Sequence, residues 1–161
     1  MSGSTVGSVS IKDIAAGRLP NILQSQLDQR LIESAKDGNI EQVRKLLKMP
    51  EIDVNAANSY GNTALIWAAA KGKVEVVKEL LQNEKVDVNA ANSNGYTALI
   101  LATSNGKQEV VKELLQNEKV DVNAANSDGY TALIWAASNG EVEVVKLIMD
   151  KLGLEDIKIT G

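Results

Sequence analysis

Residues 59–92 read SYGNTALIWAAAKGKVEVVKELLQNEKVDVNAAN, and residues 93–126 read SNGYTALILATSNGKQEVVKELLQNEKVDVNAAN, identical at 27 of 34 positions. A third copy opens at Ser127 as SDGYTALIWAASNGEVEVVK and diverges after Lys146. A unit of this length is one supersecondary element that cannot bury its apolar side alone, so neighbours in a row have to cover it. The expectation is a stacked array rather than a globule around one centre, with function on one long exposed surface.

The copy at 93–126 shows how each unit folds. Asn92, Ser93, Asn94 and Gly95 are turn formers that bond locally or tolerate positive φ. Thr97 follows, whose hydroxyl can cap a helix, so a short helix is expected over 98–104. Its small residues Ala98 and Ala102 let a neighbouring helix come close. Asn105 and Gly106 end it. A second helix is expected over 108–116, because Val110, Val111, Leu114 and Leu115 fall on one stripe of a 3.6-residue period. Glu109, Lys112 and Glu113 fill its outer face; Glu75, Lys78 and Glu79 do so one copy earlier, and such exposed i,i+3 and i,i+4 pairs are worth a few tenths of a kcal/mol. Val120, Asp121, Val122 and Asn123 alternate apolar and polar, which reads as an extended return to the next turn.

One period before Gly72 stands Gly38, and Asp53-Val54-Asn55 precedes Asp87-Val88-Asn89 by the same step. Residues 20–58 therefore read as a degenerate first unit, with Pro20 suited to a first helical turn. Gln29, Arg30 and Glu33 give it the polar outer side that a terminal unit needs. Full units follow at 59–92 and 93–126, then a last unit with a tail at 127–161. Residues 1–19 read as a flexible segment with helical tendency near 11–16. The tail is apolar for a terminal cap, with Leu147, Leu152, Leu154, Ile157 and Ile159. Three arrangements fit it: a self-cap folded back on the last unit, the cut end of a longer array, or pairing with a second copy in a weak dimer. A monomer is the simplest state.

Composition removes whole classes of chemistry. The chain of 161 residues has no Cys and no His, so disulfides, thiolate nucleophiles, Cys/His zinc sites and His-dependent triads are excluded. Aromatic residues make up 3% with no Phe, so the core must be aliphatic. Net charge is −4, with Lys and Arg dispersed among acids along helices, which argues against nucleic acid. No apolar run approaches the ~18 residues of a membrane span, and no secretory apolar stretch follows the Ser/Gly-rich start. A cytoplasmic chain with no membrane role is expected. Glu155 and Asp156 read as solvated tail charge rather than a catalytic pair. Gly72, Gly106 and Gly140 lack the Lys-Ser/Thr of a phosphate loop. No catalytic residue, metal site or cofactor is expected.

The recurrent motifs resemble the ankyrin repeat. Gly61-Asn62-Thr63-Ala64-Leu65-Ile66, Gly95-Tyr96-Thr97-Ala98-Leu99-Ile100 and Gly129-Tyr130-Thr131-Ala132-Leu133-Ile134 stand where that family writes G-x-T-P-L-H. Glu-Val-Val-Lys at 75–78, 109–112 and 143–146, and Asp-Val-Asn-Ala at 87–90 and 121–124, also match it. The resemblance implies an all-α solenoid of helix-turn-helix units joined by β-turn or hairpin-like loops. Three features depart from it: Ala replaces the first-turn Pro, Ile replaces the His, and each unit has 34 residues, the extra one lying in the 82–86 loop. Apolar packing must therefore replace the family's Thr–His hydrogen bonding. Asn89 and Asn123 also resemble sites that asparagine hydroxylases modify in animal ankyrin proteins; the other reading is an Asn that holds its turn by hydrogen bonds.

In the resembled family, turn tips and first helices line a concave groove for partner proteins. All five aromatics here, Tyr60, Tyr96, Tyr130, Trp67 and Trp135, lie near those tips or in first helices. Tyr and Trp bury large areas at low entropic cost and dominate binding hot spots, and Ser and Asn between them supply adaptable polar contacts. The groove positions are Ser59, Tyr60, Asn62, Trp67 and Lys71; Ser93, Asn94, Tyr96, Leu101 and Asn105; and Ser127, Asp128, Tyr130, Trp135 and Asn139. The expected function is a non-catalytic module that binds an unidentified protein or peptide. The alternatives are Trp rings that pack only on the next unit, tip Tyr that merely cover turns, and a structural or engineered array without a specific ligand. Asn58, Asn92 and Asn126 read as turn struts.

Overall fold

The computed structural model describes residues 11, 12 and 21–154, among which there are eight helices of three residues or more and no named strand. They are α1 (Asn21–Asp37), α2 (Ile40–Leu47), α3 (Ala64–Ala70), α4 (Val74–Leu81), α5 (Ala98–Ser104), α6 (Gln108–Leu115), α7 (Ala132–Ser138) and α8 (Val142–Lys151). The helices form two adjoining rows. In one, α1, α3, α5 and α7 pack each on the next; in the other, α2, α4, α6 and α8 do the same. We call each pair of helices, with its preceding turn, units 1 to 4. None of the helices is long and apolar enough to cross a membrane.

Local chemistry sets each helix start. The hydroxyls of Thr63, Thr97 and Thr131 accept from the N–H of Ile66, Ile100 and Ile134, each at 3.2 Å. That satisfies one of the orphan donors at the helix start. Glu75, Glu109 and Glu143 stand in the first turns of α4, α6 and α8, where a negative charge meets the helix dipole. Each forms an i,i+3 ion pair, with Lys78, Lys112 and Lys146 at 3.5, 3.2 and 3.8 Å. Glu79 instead reaches across units to Arg44 at 3.3 Å.

The core runs unbroken along the row. Val110, Val111, Leu114 and Leu115 are buried, as the stripe in the sequence requires. Ala64, Ala68, Ala98, Ala102, Ala132 and Ala136 are each at 0% exposure, so the first helices meet through small side chains. Ile66 and Ile100 are 1% exposed under the next unit; Ile134, the same residue in the last unit, is 45% exposed. Apolar packing thus replaces a polar bond at this position wherever a following unit covers it. Leu147 and Leu152 pack on the core at its far end. Residues 155–161, with Ile157 and Ile159, lie outside the described residues, as do Pro20 and most of 1–19.

Two expectations need correction. The segment around Val120–Asn123 is not extended. Asp121 Oδ1 accepts from Asn123 N at 3.0 Å, and Ala124 N donates to Asp121 O at 3.4 Å, which closes a turn. An Asp side chain that bonds its own backbone two residues on overrides the alternating pattern. The second helix stops at Leu115, with Gln116 as its cap. Beyond it Asn117 closes the next turn: its Oδ1 accepts from Lys119 N at 2.9 Å and its carbonyl from Val120 N at 3.3 Å.

Units are also stitched by side-chain amides. Asn55 Oδ1 accepts from Asp87 N at 2.7 Å while its Nδ2 donates to Lys85 O at 2.7 Å. Asn89 repeats this one unit on, with Asp121 N at 2.7 Å and Lys119 O at 2.8 Å. Asn89 thus holds its turn to the next one, as the strut reading expects.

The tips approach closely enough to exclude a side chain. Gly95 has φ +80°, and a Cβ there would stand 2.8 Å from Ser127 N and 3.0 Å from Asn126 Cα. Gly129, with φ +83°, would meet nothing within 4 Å. Gly129→Ala is expected to cost only the left-handed penalty of about 1–2 kcal/mol. Gly95→Ala should cost roughly another 1–3 kcal/mol through backbone displacement. Urea unfolding of the two variants checks this; equal losses would mean the tips do not touch.

Candidate functional site

The tips form a hydrogen-bonded ladder. Ser93 N donates to Tyr60 O at 2.9 Å, and Ser127 N to Asn94 O at 3.0 Å. Within each tip one Asn organises the turn. Asn58 Oδ1 accepts from Tyr60 N and Asn62 N, Asn92 Oδ1 from Asn94 N and Tyr96 N, and Asn126 Oδ1 from Asp128 N and Tyr130 N, all at 2.9–3.0 Å. These struts aim the side chains at positions 60, 94 and 128 and at 62, 96 and 130 by fixing the backbone beneath them.

None of the groove positions inferred from sequence is buried. Ser59, Tyr60, Lys71, Ser93, Asn94, Asn105, Ser127, Asp128, Tyr130 and Asn139 are exposed; Asn62, Trp67, Tyr96, Leu101 and Trp135 are half-buried. Asn62, Trp67, Lys71, Leu101 and Asn105 come together around one open cleft of about 260 Å³ between units 2 and 3, with Ile66, Ala70 and Asn92 completing its wall. Among the described residues that line it, Lys71 is the only charged one. In unit 4, Trp135 meets Tyr130 edge to face, ring centroids 5.7 Å apart at 66°. No such pair forms in unit 2, because Asn62 stands where unit 4 has Tyr130. Instead Lys36 Nζ lies 4.7 Å and Lys71 Nζ 5.6 Å from the centroid of the Trp67 ring.

Some candidates are struts as well as surface. Ser93 Oγ donates to Tyr60 O at 2.8 Å, and Asn105 Nδ2 to Ala70 O at 3.1 Å, so both bond the preceding unit. Asn139 makes the equivalent, longer contact to Ser104 O at 3.5 Å. Lys36 was missed by the sequence reading. Counting one period back from Ala70 would have placed it in the groove row, but unit 1 was read as a cap.

One substitution leaves a mark on the polar network. Asn92 Nδ2 donates to Asn62 Oδ1 at 2.9 Å, joining units 2 and 3. One unit on, the acceptor has become Tyr96, and Asn126 Nδ2 is buried with no partner among the described residues; Trp135 Nε1 shares that condition. A buried donor without a partner costs about 1–3 kcal/mol. Asn92→Ala removes a bond between units that Asn126 does not make, and Asn126→Ala removes a group already unsatisfied. Asn92→Ala should therefore be the more destabilising by about 1–2 kcal/mol, measured by denaturant unfolding; the reverse order would contradict the network described.

A row of helix pairs with hydrogen-bonded tips defines a helical repeat array. The family model described as "Ankyrin repeats (3 copies)" matches residues 20–92 and again 84–160. The chain belongs to the ankyrin repeat family. Ankyrin repeats are in general protein–protein interaction modules and are typically not enzymes. No curated protein matches the chain.

Proposed function

We propose that this chain is a non-catalytic module that holds a partner protein or peptide along its tips and first helices, and acts as a monomer. The observation that carries this reading is the cleft between units 2 and 3. It has Trp67 and Leu101 as apolar anchors, Asn62 and Asn105 as a polar rim, and it is open to solvent on one side. Its volume is below the ~300–1,000 Å³ of pockets that enclose a drug-sized ligand. It suits side chains presented by a larger partner, with Tyr96, Tyr130 and Trp135 extending the contact along the row.

Aromatic anchors in partly desolvated positions are where binding energy concentrates, at about 2 kcal/mol or more each. Replacing Trp67, Tyr96 and Trp135 together by Ala should reduce partner affinity by more than about 100-fold. The helical circular dichroism should persist, because none of the three belongs to the fully buried core. Affinity capture from the source lysate, run with the wild type and this variant side by side, makes the test. Partners retained equally by both would place the binding surface elsewhere. The near-identity of residues 59–92 and 93–126 favours a second reading, an engineered or structural array without a ligand; on that reading neither protein captures anything specific.

A further inference from the structure

The proposed groove surface is not uniform in charge, and one place on it lacks a counterion among the described residues. Lys36, from the last turn of α1, and Lys71, which caps α3, both bring their ammonium groups to the Trp67 ring, at 4.7 and 5.6 Å from its centroid. Each distance is within the ~6 Å over which an ammonium is attracted to an aromatic face. The ring therefore gathers two like charges. Among the described residues no carboxylate lies within ion-pair distance of either one. Two acids of α1 are near in sequence, Glu33 and Asp37. Glu33 Oε1 accepts from Gln29 Nε2 at 3.1 Å, and Asp37 is exposed at the helix end. By contrast, the lysines of the outer row at 78, 112 and 146 are all paired.

The adjoining cleft continues the same chemistry. Asn62 Oδ1 accepts from Asn92 Nδ2, and its own Nδ2 has no acceptor among the described residues, so a second kind of donor accompanies Lys71. Beside these donors lie the apolar edges of Trp67, Ile66 and Leu101. A carboxylate set here would pair with the Lys71 ammonium and accept from the amide. An apolar side chain next to it would cover the indole and the leucine.

We propose, building on the groove reading above, that the Lys36–Trp67–Lys71 cluster recognises an acidic segment of the partner: an Asp or Glu carboxylate adjacent to an apolar side chain. The chain's net charge of −4 does not oppose this at contact range. Distant surface charges are screened beyond a Debye length of about 8 Å at physiological salt, while Lys71 lines the cleft and Lys36 reaches the Trp67 ring beside it.

The test uses the full chain and a short acetylated peptide of Glu-Leu-Gly repeats, beside matched Gln-Leu-Gly and Lys-Leu-Gly peptides, in physiological salt. The two Trp residues give two indole N–H signals by NMR. The Glu peptide is expected to shift the Trp67 signal saturably, and to bind at least about tenfold more tightly than the Gln or Lys peptide. Lys36→Met with Lys71→Met should remove most of that preference. Lys71→Met alone, at an exposed helix end, should remove part of it. Lys78→Met, which deletes the same charge from the outer row, should leave it intact. Equal binding of all three peptides, or a preference that survives the double lysine variant, overturns the acidic-segment proposal and leaves the groove standing. Undiminished binding of the Glu peptide to the Trp67, Tyr96 and Trp135 triple variant would overturn the groove reading itself.

Discussion

Everything in this molecule depends on one side of each helix pair being covered by the next pair. Ile66 and Ile100 are sealed because units 3 and 4 lie over them, while Ile134, at the same position of the last unit, is left 45% exposed. No unit has enough apolar surface to hold itself together, so stability resides at the junctions. The small residues of the first helices, the Thr caps, the touching tips and the Asn bridges all serve the same end. They let one unit approach the next closely.

That constraint also creates the candidate site. Since junctions repeat at a fixed interval, residues at equivalent positions emerge along one wall, and variation among them writes the surface. At the first-helix position the row runs Glu33, Trp67, Leu101, Trp135, and at the tip it runs Asn62, Tyr96, Tyr130. The two patterns are out of step. Unit 4 pairs its Trp with a Tyr, unit 2 pairs its Trp with lysines, and unit 3 has a Tyr and no Trp. A nearly perfect repeat thus presents three chemically distinct places, which is what a partner needs to bind in one register. The same variation leaves a buried donor: with Tyr96 where an Asn would serve, the amide of Asn126 has no partner among the described residues.

The array, the caps and the helix stripes were legible because each is a local rule applied three times. Thr97 before a run of small and apolar residues, and Val110, Val111, Leu114 and Leu115 at helical spacing, leave little choice. What escaped notice depended on side chains acting outside their own pattern. The alternation at Val120–Asn123 looked like a strand, but Asp121 folds the backbone into a turn. Lys36 belongs to a unit read as a cap, and only the stacking of α1 on α3 carries its ammonium over Trp67. The missing partner of Asn126 required knowing that Asn92 and Asn62 touch across a junction, a pairing 30 residues apart that no local rule reveals. The cleft at Trp67 was legible as a row of positions, not as a shape.

The most direct check of junction-borne stability compares Ile100→Ala with Ile134→Ala by equilibrium denaturant unfolding. Both remove the same atoms from the same helix position, and the main difference is the covering unit. The expected loss is about 2–5 kcal/mol for Ile100→Ala, as for other fully buried aliphatic residues, and less than about 1 kcal/mol for Ile134→Ala. Equal losses at the two positions would mean that neighbours do not hold the units together, and the stacked account would fail.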